Sequence, residues 1–127
     1  MAVRDIPFAW GRVWSPQEAP PQLPPKVGGV YVFRKNQDVM YIGRTRTGTL
    51  RKRICRDHLS AGPRDSKDFR DKVAAYEGLT NRVDVLHRLR EIYSVAWVQI
   101  TSPEMRILVE SLLIAWAKAE NQPLLND

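Results

Sequence analysis

The pattern of hydrophobic and polar positions changes character at residue 28. Before it the apolar residues keep no period, and six of the nine prolines (Pro7, Pro16, Pro20, Pro21, Pro24, Pro25) crowd together. Proline lacks a backbone donor and restrains the residue before it, so this stretch is neither regular helix nor central strand. It reads as an irregular arm, residues 1–27, that ends in a stiff polyproline-like segment. Phe8, Trp10 and Trp14 are large for a linker and are expected to pin the arm onto the domain that follows. From Gly28 onward, Val30-Tyr31-Val32-Phe33 and Val39-Met40-Tyr41-Ile42 are runs of strand formers around the polar Lys35-Asn36-Gln37-Asp38, which predicts an antiparallel hairpin. Thr49 can cap a helix whose Leu50, Ile54 and Leu59 recur at helical spacing, and Pro63 closes that region.

Residues 66–77 and 82–91 read as two short helices parted by Gly78 and Asn81, and residues 93–100 as a third strand. Ser102 and Pro103 supply the cap and first position of a last helix. Met105, Leu108, Leu112, Ala115 and Ala119 form one apolar stripe on it, widened by Ile107, Ile114 and Trp116. A helix this apolar is expected to be largely buried. Pro123 prevents its continuation and leaves a tail whose Leu124 and Leu125 can tuck inward. The order β-β-α-(α-α)-β-α predicts an α/β (α+β) sandwich over residues 28–127, with a small, mainly antiparallel three-stranded sheet flanked by helices.

At 127 residues and 43% hydrophobic content, the chain can bury a sizeable core without covalent staples. Cys55 is the sole cysteine, which excludes an internal disulfide and a cysteine-based zinc cage. No apolar run is long enough for a membrane span and no secretory leader is evident, so a soluble, intracellular, cytoplasmic protein is expected. The net charge of +6 and pI near 9.8 suit a polyanionic partner. Arg44, Arg46, Arg51, Lys52, Arg53 and Arg56 fall within 13 residues that contain no acid. A solvated helix face would interleave both signs, so these residues point to a phosphate-facing surface.

Two features could carry chemistry. Glu110 lies inside the most apolar helix, where a half-desolvated carboxylate calls for a cation, either an arginine or a hard metal. Tyr31 and Tyr41 stand on the two strands of one hairpin, each beside a glycine-containing triplet, and glycine permits close approach by a backbone or ligand.

Gly29-Val30-Tyr31, nine intervening residues, and Tyr41-Ile42-Gly43 resemble the signature of the GIY-YIG nucleases. Leu50-Arg51-Lys52-Arg53-Ile54, Glu110 and Pro123-Leu124-Leu125-Asn126 resemble that family's arginine helix, metal-binding glutamate and terminal asparagine segment, so the resemblance covers residues 28–126. It implies a phosphodiester hydrolase with one divalent ion, Mg2+ or Mn2+, held by Glu110. It also implies that Arg53 grips the scissile phosphate, that Tyr31 or Tyr41 orients the attacking water, and that Asn126 braces the site. Arg51 competes with Arg53 for the catalytic place; Arg53 is preferred because Leu50 and Ile54 frame it as in the family. His58 stands five residues after Arg53 rather than four, off the expected helix face, and either turns back into the site or touches the phosphate backbone. Arg44 stands where some relatives have lysine, and arginine cannot shuttle protons. Gly43, Arg44, Arg46, Arg51, Lys52 and Arg56 are the expected substrate-binding residues. The expected partner is DNA, with an endonuclease role in repair, restriction or element mobility. A binding module of the same fold without turnover is the alternative. The arm could further serve a protein partner or a homodimer.

Overall fold

A computed structural model describes residues 11–12, 26–46, 48–50, 52–54 and 67–126. The chain is α+β. Its strands are β1 (Gly11–Arg12), β2 (Gly29–Lys35), β3 (Asp38–Arg44) and β4 (Tyr93–Gln99). Its helices are α1 (Lys67–Glu77), α2 (Arg82–Ile92) and α3 (Pro103–Ala119). The sheet order is β1-β4-β2-β3, and every pairing is antiparallel. The three long strands match the expected sheet, and the arm adds a two-residue edge strand beside β4. Residues 1–10 and 13–25 of the arm, with Phe8, Trp10 and Trp14, lie outside the described residues.

The hairpin closes through Asn36 and Gln37, with Asn36 at φ 57°, a left-handed conformation that asparagine tolerates. Its register sets how the two tyrosines relate. Tyr31 stands opposite Gly43 and Tyr41 opposite Phe33, so the two tyrosines are diagonal neighbours on one face rather than cross-strand partners. A register shift after Phe33 leaves Met40 unopposed. This bulge breaks the period of two, and both Met40 and Tyr41 pack toward the same core.

The sheet separates two cores. On one face Tyr31, Phe33 and Val95 pack with Phe69 and Val73 of α1 and Val85 and Leu89 of α2. On the other, Val30, Val32, Val39 and Ile42 meet Leu113 and Ala117 of α3. The helix ends follow local chemistry. The Asn81 side chain accepts from Val83 N at 2.7 Å to start α2, and the Ser102 hydroxyl accepts from Met105 N at 3.3 Å to start α3. Gly78 (φ 69°) ends α1 as Leu79 N reaches back to Ala74 O at 2.8 Å. Asn121 (φ 56°) ends α3 in the same way, with Gln122 N bonded to Ala117 O at 2.9 Å.

The burial of α3 departs from expectation. Only Leu113 and Ala117 of this helix are buried. Met105, Leu108, Leu112, Ala115 and Ala119, the stripe expected to face inward, are all exposed. The helix is apolar on two sides, so periodicity alone could not say which side meets the sheet. The side that does so carries Leu113 and Ala117, with Val109, Ile114 and Trp116 packed at its margins.

The tail covers the outer edge of β3. Val39 N donates to Gln122 Oε1 at 2.8 Å, Leu125 N to Met40 O at 2.7 Å, and Asn126 brackets the backbone of Ile42. An edge strand left open would offer its donors to other chains. The α1 terminus gives a clean test of backbone conformation, since a Cβ at Gly78 would meet nothing within 4 Å. Gly78→Ala should therefore cost about 1 kcal/mol in urea unfolding, from the left-handed conformation alone.

Candidate active site

The candidate site is built where β2 begins and β3 ends. Gly28 and Gly29 bond in both directions there: Thr45 N to Gly29 O at 3.0 Å and Ile100 N to Gly28 O at 3.0 Å. The buried Thr45 hydroxyl accepts from Gly29 N at 3.0 Å. Leu50 N bonds to Val27 O at 2.8 Å, which ties the following turn to the same corner. Thr49 caps that turn, its hydroxyl accepting from Lys52 N at 3.1 Å and its carbonyl from Arg53 N at 2.9 Å; the rest of the helix expected there, with Leu59 and Pro63, lies outside the described residues.

This cap aims Arg53 back at the hairpin, where Arg53 Nε donates to the Tyr31 hydroxyl at 3.2 Å. Tyr31 is fully buried and lies across Gly43; any Cβ at residue 43 would overlap the Tyr31 ring and hydroxyl. The role of the second motif glycine is thus steric: it gives the phenol its seat. Burial pushes the Tyr31 phenol well above its ordinary ionisation, and neighbouring Tyr41 and Glu110 push the same way, while Arg53 opposes them. The cation beside the phenol is therefore Arg53, not Arg44, and it does not prevail over desolvation. Tyr31 remains a neutral phenol, unsuited to act as a base. Tyr41, half-buried on the same face, stacks against Phe69 with ring centroids 4.7 Å apart.

Glu110 enters from α3. Its carboxylate stands 3.7 Å from Arg44 Nε, with the two side chains 21% and 22% exposed. Burial raises its ionisation above the ordinary 4.5, with Arg44 and Arg46 pulling it back. Among the described residues no three of His, Cys, Asp and Glu gather into a metal cage. A half-desolvated carboxylate with a partner beyond hydrogen-bond length fits a hard, strongly hydrated ion that takes one protein ligand and keeps its waters.

Asn126 is bonded to the backbone of Ile42. Its side chain accepts from Ile42 N at 2.9 Å and donates to Ile42 O at 2.7 Å, holding the strand between Tyr41 and Gly43. Lys52 and Arg46 are exposed at the same corner, and Arg44 is half-buried. Arg51, Arg56 and His58 lie outside the described residues. Sequence reasoning missed Arg106, whose guanidinium donates to Ile100 O at 2.6 Å, Thr101 O at 3.1 Å and Arg46 O at 3.3 Å. It clamps two loops one helical turn before Glu110. A Cβ at Gly28 would collide with it, so the glycine just before the motif makes room for this clamp. The signal available was its spacing of four from Glu110, which puts both on one helix face.

A second carboxylate, Glu77, is fully engaged elsewhere, accepting from Lys35 Nζ at 2.8 Å and the Tyr93 hydroxyl at 2.9 Å. It serves the packing of α1 against the sheet. Among the described residues no helix is long and apolar enough to cross a membrane. Comparison with protein-family models, with curated proteins and with solved structures finds no match to this chain.

Two outcomes follow from this geometry. Gly43→Ala should cost about 1–3 kcal/mol in chemical denaturation by displacing Tyr31, whereas Gly48→Ala, whose Cβ would meet only Lys52 at 3.9 Å, should be near neutral. For Glu110, a folded-state pKa above 4.5 means that ionisation is costlier in the folded chain, so stability is lost as pH rises through that range. Glu110→Gln should accordingly raise the melting temperature of the metal-free protein at neutral pH, with the gain vanishing below about pH 4.5.

Proposed function

We propose that the chain is a metal-dependent nuclease of the GIY-YIG type that hydrolyses phosphodiester bonds in DNA. The observation that carries this reading is the convergence on one phenol of groups far apart in sequence. Arg53 donates to Tyr31, and the charge of Glu110 acts on the same hydroxyl. A cation, a carboxylate and phenols gathered beside the exposed Arg46 and Lys52 suit an anionic substrate drawn in by counterion release.

In this reading Arg53 grips the scissile phosphate with its planar fork, and Tyr31 is a positioning residue that fixes the guanidinium. Tyr41 orients the attacking water. Glu110 would hold a magnesium or manganese ion. The chemistry supplied by such an ion is Lewis-acid stabilisation of charge on the phosphoryl oxygens. The water oxygen bonds to phosphorus and gives up a proton to solvent, the bond to the leaving sugar oxygen breaks, and that oxygen takes up a proton from solvent. Gly43, Arg44, Arg46 and Lys52 line the approach of the backbone, with Asn126 bracing β3 from behind.

One observation favours a second reading, a DNA-binding module without turnover. Tyr31 is buried and neutral, and Arg44 stands within ion-pair range of the carboxylate that the metal would occupy. The two readings separate in one assay. Plasmid, branched and single-stranded DNA are incubated with magnesium and wild type, Glu110→Ala or Arg53→Ala. The nuclease reading expects cleavage by wild type and a loss of about a hundredfold or more in each variant. Salt-dependent binding with no cleavage, or equal cleavage by Glu110→Ala, rejects it.

A further inference from the structure

The outward face of α3 is built for a partner. Met105 (46%), Leu108 (49%) and Leu112 (60%) are among the most exposed large apolar side chains described, and Ala115 and Ala119 continue the row. Isolated exposed leucines are ordinary, but a contiguous apolar stripe on a soluble domain marks an interaction surface. The spacing alternates three and four residues over the length of the helix, which is the heptad seam of paired helices. At about 100° per residue this seam lies on the far side of α3 from Leu113, Ala117 and Glu110.

The charges beside the seam select the occupant. Glu104 near the start and exposed Lys118 near the end lie on the same flank of the stripe, two heptads apart. A second α3 laid antiparallel brings Glu104 beside Lys118 of the other copy, and symmetry repeats the pair at the other end. A parallel arrangement would turn both charges toward the opposite flank of the other helix, where Glu104 meets Val109 and neither charge finds a partner. Opposed helix dipoles favour the antiparallel choice as well. The centre of the pairing falls near Leu112, where large side chains concentrate.

We infer that this face of α3 joins two copies of the chain in an antiparallel, two-fold symmetric dimer. A single 17-residue helix gives an interface at the small end of the range, where association is weak and reversible. The contact lies opposite Glu110, so both candidate sites stay open. It does not depend on the nuclease reading, because it is measured without substrate.

Sedimentation velocity of the full chain across micromolar concentrations tests it. Wild type should show a monomer–dimer equilibrium. Leu112→Asp, at an exposed position, should keep its circular dichroism and raise the dissociation constant about a hundredfold. Glu104→Lys should weaken the dimer, and Glu104→Lys with Lys118→Glu should restore it, which keeps the test decisive even if Leu112→Asp fails to fold. A wild type that stays monomeric overturns the inference, whether or not the stripe then binds phospholipid vesicles or another protein. Unchanged association in Leu112→Asp, or in the Glu104→Lys variant, overturns it too.

Discussion

A phenol with nowhere to ionise and an arginine with a fixed place to point form the joint of this structure. Tyr31 is completely buried, and a buried hydroxyl left unpaired costs far more than a satisfied one gains. Its bond from Arg53 therefore couples the β2–β3 hairpin to the Thr49-capped turn. That coupling exists only because residue 43 has no side chain to occupy the space of the ring. Three ordinary local devices, a glycine seat, a threonine cap and a bracketing asparagine, thus hold one guanidinium against one buried phenol.

The corner around this joint is held at some cost to stability. Glu110 is pushed toward its neutral form by burial, and its ion-pair partner Arg44 remains at 3.7 Å. Packing alone would favour an apolar or amide side chain there. Arg106, in contrast, spends its donors on carbonyls of two loops, which makes it scaffolding despite its place beside Glu110. Two basic residues on neighbouring elements accordingly do different work: one holds loops, while the other faces a carboxylate. Retaining a costly carboxylate in such a frame is the pattern expected of a functional position.

Much of this was legible because local chemistry decided it. The hairpin, the helix starts at Asn81 and Ser102, the turn capped by Thr49 and the stop at Gly78 each follow from one or two residues whose backbone preferences are strong. What escaped depended on contacts distant in sequence. The bulge at Met40 is invisible in Val39-Met40-Tyr41-Ile42, where every side chain is apolar, and without it the Lys35–Asp38 register would have set Tyr31 opposite Ile42 and Tyr41 opposite Val32, with the two tyrosines on opposite faces. The face of α3 that meets the sheet could not be chosen from a helix apolar on both sides. The partners of Gln122, Asn126 and Arg106 are backbone groups of distant segments, which side-chain pattern does not single out. In the candidate site, Tyr31, Tyr41, Gly43, Arg53 and Glu110 gather at one corner, with Asn126 behind it. The neutrality of the Tyr31 phenol is a tertiary effect too, because burial outweighs one neighbouring cation.

Paramagnetic broadening by Mn2+ in amide NMR spectra measures the proposed centre most directly. At substoichiometric Mn2+, the signals of Arg44 and Glu110 should broaden first, with those of Gly43 and Arg53 close behind, and Glu110→Gln should abolish the pattern without altering the rest of the spectrum. Broadening centred elsewhere, or unchanged in Glu110→Gln, would contradict a single ion held by that carboxylate.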